Sequence, residues 1–272
     1  MNRTAKMFLA CVAFACISST MVAQVSVIGE LSQDREVRPG DSYEGVILVK
    51  NDTDEMQEAK VYQSDYAFHF SGTNSYGEPG THPRSNARWI SFSPQFLSLP
   101  PQSTAAVNYR VAVPRDSLGT LIGTYWSMLM VEGVPKGSLE SSAPRADRKE
   151  MGIAQAIRYG IQIASTFSGT GTRNIKFIET KLVRKDADER ALQVDIENTG
   201  EIGMRPDVYV ELFDEAGLSR GRFYGIRLRL YPGTSVRQVI DLSSAPSGTF
   251  KALIIVDAGA DEAFAAQYTL KL

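Results

Sequence analysis

The sequence has only two cysteines among its 272 residues, Cys11 and Cys16, and only two histidines, His69 and His82. Both thiols fall within the first 23 positions, which read as an export signal. Asn2 to Lys6 form a short basic stretch, Met7 to Ile17 an apolar stretch, and Met21-Val22-Ala23 offers a cleavage site ahead of Gln24. Cleavage there leaves a thiol-free chain. That excludes disulfides and thiol chemistry and leaves packing and sheet hydrogen bonding to hold the fold. Two histidines without a thiol make a zinc site a poor expectation. No glycine-rich phosphate loop is present. No other apolar run approaches the roughly 20 residues a membrane helix needs. The 29 basic and 31 acidic residues give a formal charge of −2, too mild for a nucleic-acid partner. No cofactor is expected.

Ala13-Phe14-Ala15-Cys16 also has the outline of a lipoprotein cleavage box. A lipid on Cys16 would tether the protein to a membrane, whereas plain cleavage leaves it free in the periplasm or medium.

What the sequence has in abundance is alternation with period two. Strands are read at 46–50, 58–66, 105–113, 123–131 and 156–167, separated by turns rich in Gly, Pro, Asn and Asp. Residues 71–86 are too polar and too rich in Gly and Pro for a strand and read as one long surface loop. The stretch near 134–150 reads as a linker or mobile segment. Seven more strands are expected near 174–183, 190–198, 206–213, 221–230, 234–241, 248–256 and 263–271, with Asp214-Glu215-Ala216-Gly217 and Tyr231-Pro232-Gly233-Thr234 as turns. The expectation is an all-β chain of two tandem immunoglobulin-like β-sandwich domains, 24–168 and 169–272.

Groups able to do chemistry are sparse. Asp65, His69 and Ser71 form a triad on paper, but polar residues where a strand runs into a loop explain them better. Asn51 to Glu55 is acidic enough for calcium yet lacks the Gly and terminal Glu of a loop site. Trp89 and Trp126 could line a sugar-binding surface, although core packing is their commoner use. The expectation is a non-enzyme that acts through a surface. In sheet proteins that surface is often a strand edge, whose free N–H and C=O groups accept another strand. The strand at 156–167 is the candidate. Ile157, Tyr159, Ile161 and Ile163 share one face, and Arg158 lies on the other.

The run from Val37 to Pro114 resembles the first domain of periplasmic pilus-assembly chaperones. The matching pieces are Arg38-Pro39-Gly40, Gly45 to Asn51, Trp89 to Pro94, Leu97 to Pro101 and Val111 to Pro114, continued by Gly123 to Trp126. The second half is similar to the second domain of that group, and WxL-interacting surface proteins share the layout. The resemblance implies strand addition to unfinished pilus or surface subunits. It implies partner-binding roles for Arg158, Ile157, Tyr159, Ile161 and Ile163. In the family, a basic residue of the closing strand and an Arg of the opening strand hold a subunit's carboxylate between the domains. Arg158 matches the first; the opening segment Gln24 to Ile28 has no Arg, and Arg35 is the nearest. The alternative function is a structural or adhesive envelope protein that binds another surface protein or a glycan.

Overall fold

The computed structural model describes residues 25–116, 119–135, 138–142, 157–184, 189–259 and 262–272. The export signal and Cys16 lie outside the described residues. The chain forms two immunoglobulin-like β-sandwiches in tandem.

In the first sandwich, one sheet has the order β1 (Ser26–Ile28), β3 (Ser42–Lys50), β8 (Thr104–Ala112), β6 (Ile90–Ser93). The facing sheet runs β2 (Ser32–Val37), β10 (Arg158–Phe167), β9 (Thr124–Val134), β4 (Gln57–Phe68), β5 (Asn74–Gly77), with β7 (Phe96–Leu99) also on β4. Alternation places Ile47, Val49, Val107, Val111, Leu129, Val131, Ile161 and Ile163 in one core. Turn chemistry closes its ends. Asn51, fully buried, donates from Nδ2 to Glu55 O (2.8 Å), Leu99 O (3.0 Å) and Pro100 O (2.9 Å), and its Oδ1 accepts from Thr53 N (2.9 Å). The Asn51 to Glu55 stretch is thus organised by its own turn.

The second sandwich has a sheet β11 (Ile175–Arg184), β12 (Arg190–Asn198), β15 (Ser235–Asp241). It faces a sheet β14 (Ser219–Tyr224), β13 (Asp207–Phe213), β16 (Thr249–Gly259), β17 (Glu262–Lys271). Three strands against four is the layout expected of an immunoglobulin-like domain. Leu192, Val194, Ile196, Val210, Leu212, Ile240, Ala252 and Ile254 fill its core and are fully buried.

Two expectations need correction. Residues 71–86 are not one irregular loop: Asn74–Gly77 pair with Asp65 to Phe68 as an added edge strand. The strand read at 221–230 ends at Tyr224; Gly225, where a Cβ would meet Gln238 Oε1 at 2.5 Å, lets the backbone pass close to that side chain, and the chain then turns to meet Met204 through Leu230. Separately, the described residues 138–142 contact β4: Ser141 Oγ donates to Glu58 Oε2 (2.6 Å) and Lys60 Nζ donates to Glu140 (2.8 Å).

Candidate functional site

β10 is antiparallel to β9 along its length, from Arg158 opposite Glu132 to Thr166 opposite Thr124. Its other side is covered only in part. β2 runs parallel to it from Gln162 to Phe167. The whole 156–167 strand is therefore not an edge: among the described residues, a free border exists only over its first residues. The direction of the backbone groups there is fixed. Gly133 N donates to Ile157 O (3.3 Å), so the odd residues bond to β9, whereas Gln162 N donates to Leu31 O (3.0 Å) on the opposite side. By alternation, the N–H and C=O groups of Arg158 and Gly160 point away from β9, ahead of where β2 begins.

The side chains divide between two faces. Ile161 and Ile163, 1% and 0% exposed, lie in the first core. Tyr159 packs at the margin of that core, and Ile157 is 38% exposed. On the opposite face Gly160 lies beneath two methionines; a Cβ there would meet Met128 Sδ at 2.9 Å and Met130 Sδ at 3.3 Å. Arg158 Nε sits 2.7 Å from Glu132 Oε2. Glu132 also accepts from the Tyr62 hydroxyl (2.8 Å) and lies 3.6 Å from Lys60 Nζ. Burial alone would raise the Glu132 carboxyl, but the Tyr62 hydroxyl, Lys60 and Arg158 together hold it below the usual carboxylate range. The free border thus begins beside an ordered group of charges.

The structure does not bring Arg158 and Arg35 together. Arg35 pairs with Ser165, seven residues along β10 from Arg158, or roughly 23 Å at strand rise. The surface between the sandwiches is built by other residues. Tyr231, fully buried, stacks on Trp126 with ring centres 4.4 Å apart and planes 3° from parallel. Its hydroxyl donates to Gln162 Oε1 (2.9 Å). The Arg229 guanidinium lies 5.2 Å over the Tyr231 ring and donates to Asp34 Oδ1 and Ser32 Oγ, each at 2.6 Å. Thr124 N donates to Glu201 O and Gly203 N to Thr124 Oγ1, both at 2.8 Å. A cavity of about 330 Å³ beside these groups is walled by both signs of charge, including Glu36, Arg173 and Arg205. Its most buried cation, Arg229, is already engaged by Asp34.

The strand, the outward Arg158 and the apolar row were visible in sequence. The junction was not. Gln162, Arg229, Tyr231 and Trp126 are far apart in the chain, and the only local signal was the Tyr231-Pro232-Gly233 turn that aims the tyrosine.

The paper triad does not form. Asp65 accepts from the backbone N–H groups of Gly80 (3.1 Å), Thr81 (2.8 Å) and His82 (2.7 Å) and from the Ser85 hydroxyl, which organises the following loop. His69 Nδ1 lies 2.9 Å from Ser71 Oγ on an exposed turn. Trp126, 1% exposed, donates from Nε1 to Tyr66 O (2.7 Å). Trp89 packs with Tyr125 and Phe167 against the first core.

No protein-family model matches the chain, and no curated protein matches it. Solved structures resemble it at low identity. A chain of a chaperone–tip adhesin complex of CFA/I fimbriae biogenesis is 15% identical, with 90% of this chain and 98% of that chain covered and a TM-score of 0.47. The class 5 fimbriae chaperone CfaA is 16% identical, covering 91% of this chain and 100% of its own, with a TM-score of 0.45. A chain of the CsuC–CsuE chaperone–tip adhesion subunit pre-assembly complex of Acinetobacter baumannii is 11% identical, covering 90% and 98%, with a TM-score of 0.44.

Proposed function

We propose that this chain is an exported, non-enzymatic chaperone-like protein, with domains at 24–168 and 169–272, that takes up a partner's β-strand at the free half of β10. The observation that carries the reading is the uncovered border of Arg158 to Ile161, where two residues direct backbone donors and acceptors outward. A partner strand laid there gains main-chain hydrogen bonds, and apolar contact with Ile157 and Tyr159 adds affinity at about 25 cal/mol per Å² removed from water. Ile161 and Ile163 serve from beneath: buried in the core, they keep the strand in register. Arg158 marks the start of the border and offers an acidic partner group a cation shared with Glu132. The partner class, a pilus or surface subunit, follows from the resemblance carried by Val37 to Pro114. The periplasm or the medium is the proposed location, and no described helix is long and apolar enough to cross a membrane.

The test is amide hydrogen exchange on the protein purified alone and co-purified with its envelope partner. The Arg158 and Gly160 amides should exchange fast alone and slow in the complex. Arg158→Pro removes a donor that β9 does not use, so it should abolish co-purification while leaving the thermal midpoint nearly unchanged. Arg158→Ala, which keeps the donor but loses the cation, should weaken co-purification less than Arg158→Pro does. Unchanged exchange at both amides in the complex would refute strand addition here.

A further inference from the structure

Sheet borders invite unwanted pairing, and proteins blunt them with charge, Gly, Pro, bulges or shortness. Nearly every described border of this chain is treated in that way. β1, β5 and β6 are three or four residues long. β2 carries Asp34, Arg35 and Glu36, and β15 carries Arg237 and Asp241. β14 carries Arg220, Gly221 and Arg222. β11 carries Lys176, Lys181 and Arg184 and is bulged between Phe177 and Glu179. The free half of β10 begins at Arg158 and contains Gly160.

β17 is the exception. It borders its sheet, with β16 on one side. Between Ala263 and Thr269 it has no charge, proline or glycine. Its pairing with β16 is continuous through those residues, from Asp257 opposite Ala263 to Lys251 opposite Thr269. Leu272 N donates to Gly248 O (2.8 Å) and Gly248 N to Leu272 O (3.1 Å), so the even residues face β16. Ala263, Ala265, Gln267 and Thr269 therefore turn their N–H and C=O groups outward. Arg184 caps the border at one end by donating to Lys271 O (2.7 Å). Arg173 approaches Glu262 to 3.7 Å at the other. Among the described residues, no strand pairs with the stretch between them on its outer side.

We infer that this stretch of β17 is a self-association surface, on which a second copy of the chain lays its own β17 antiparallel across a two-fold axis at Ala266. Charge complementarity selects this occupant and direction. Antiparallel pairing sets the Glu262 end of one copy against the Lys271 end of the other, whereas parallel pairing would oppose like charges. In this register Ala265 faces the partner's Gln267 and Ala263 its Thr269, so each outward-directed residue meets another. On the core side Phe264 lies opposite the partner's Tyr268, a favourable aromatic cross-strand pair. This surface belongs to the second sandwich and is separate from the β10 border.

Sedimentation equilibrium of the purified protein over micromolar to millimolar concentrations tests the inference. The natural chain should form a reversible dimer. Gln267→Lys should raise the dimer dissociation constant about tenfold or more without changing the thermal midpoint. Ala265→Pro should act likewise, since the lost N–H points outward. Directly opposed residues of a hydrogen-bonded pair lie about 5.5 Å apart at Cα, within disulfide reach. Mixing Ala265→Cys with Gln267→Cys protein should therefore give a cross-linked dimer under oxidation in greater yield than either variant alone. A monomer at every concentration, a dimer indifferent to Gln267→Lys, or equal cross-linking by Ala265→Cys alone would overturn the inference.

Discussion

Removing the Tyr231 ring should uncouple the two sandwiches, and removing only its hydroxyl should not. The ring is fully buried, stacked on Trp126 of the first sandwich at 4.4 Å and covered by Arg229 at 5.2 Å. Its backbone is held independently of the ring: Thr234 N donates to Tyr231 O (3.0 Å) in a turn whose Gly233 has φ +74°. Tyr231→Phe loses one hydrogen bond, to Gln162 Oε1. Gln162 is only half-buried, so water can replace the donor and the cost should be about 1 kcal/mol. Tyr231→Ala removes the stack, the cation–ring contact and the ring's buried area, which together should cost about 3–5 kcal/mol. The chain has two tryptophans, and only Trp126 touches Tyr231, so tryptophan fluorescence during urea unfolding reads the junction directly. The natural chain should show one transition by fluorescence and by circular dichroism. Tyr231→Ala should shift the fluorescence transition to lower urea and separate it from the circular dichroism transition, because each sandwich keeps its own core. If Tyr231→Ala costs less than about 1 kcal/mol, or matches Tyr231→Phe, the stack does not join the domains and the reasoning fails.

Asp65→Ala strands three backbone donors and the Ser85 hydroxyl, so it should cost about 3 kcal/mol by urea unfolding and speed amide exchange at Gly80, Thr81 and His82. Gly45→Ala drives a Cβ to 2.2 Å from the Tyr109 ring, which faces the first core, and should destabilise by about 1–3 kcal/mol in the same assay. Acid should weaken the fold in two stages. Burial keeps His82 below its ordinary value, with Nδ1 accepting from Arg84 N at 3.1 Å; the unfolded chain therefore takes up this proton first, and stability should begin to fall below about pH 6.5. Asp65 and Glu132 have carboxyls that burial would raise but hydrogen bonds and, for Glu132, nearby cations hold low. Their contribution is complete above the ordinary carboxylate range and should be lost as pH falls below about 4. Urea midpoints from pH 8 to pH 3 check both stages, and His82→Asn should erase the first alone.

The parts of this molecule legible in sequence are those that local chemistry decides. Alternation places every other residue on one face, so Ile161 with Ile163, and Val107 with Val111, could each be put on a common face without knowing what that face meets. A turn such as Tyr231-Pro232-Gly233 is decided by the φ that proline fixes and the positive φ that glycine tolerates. Exposure of a border is different, because it depends on which strand lies alongside. The apolar row of β10 reads the same whether its neighbouring side is open or covered, and β2, a short polar segment with Asp34, Arg35 and Glu36, gives no local sign that it runs parallel to Gln162 through Phe167. That one pairing shortens the free border to its first residues and places Arg158 far from Arg35. It also puts Asp34 within reach of Arg229, 195 positions away. The functional reading therefore turns on a non-local pairing: if Ser32 to Val37 were released from β10, the accepting edge would lengthen by six residues and the Arg229 clamp between the sandwiches would open with it.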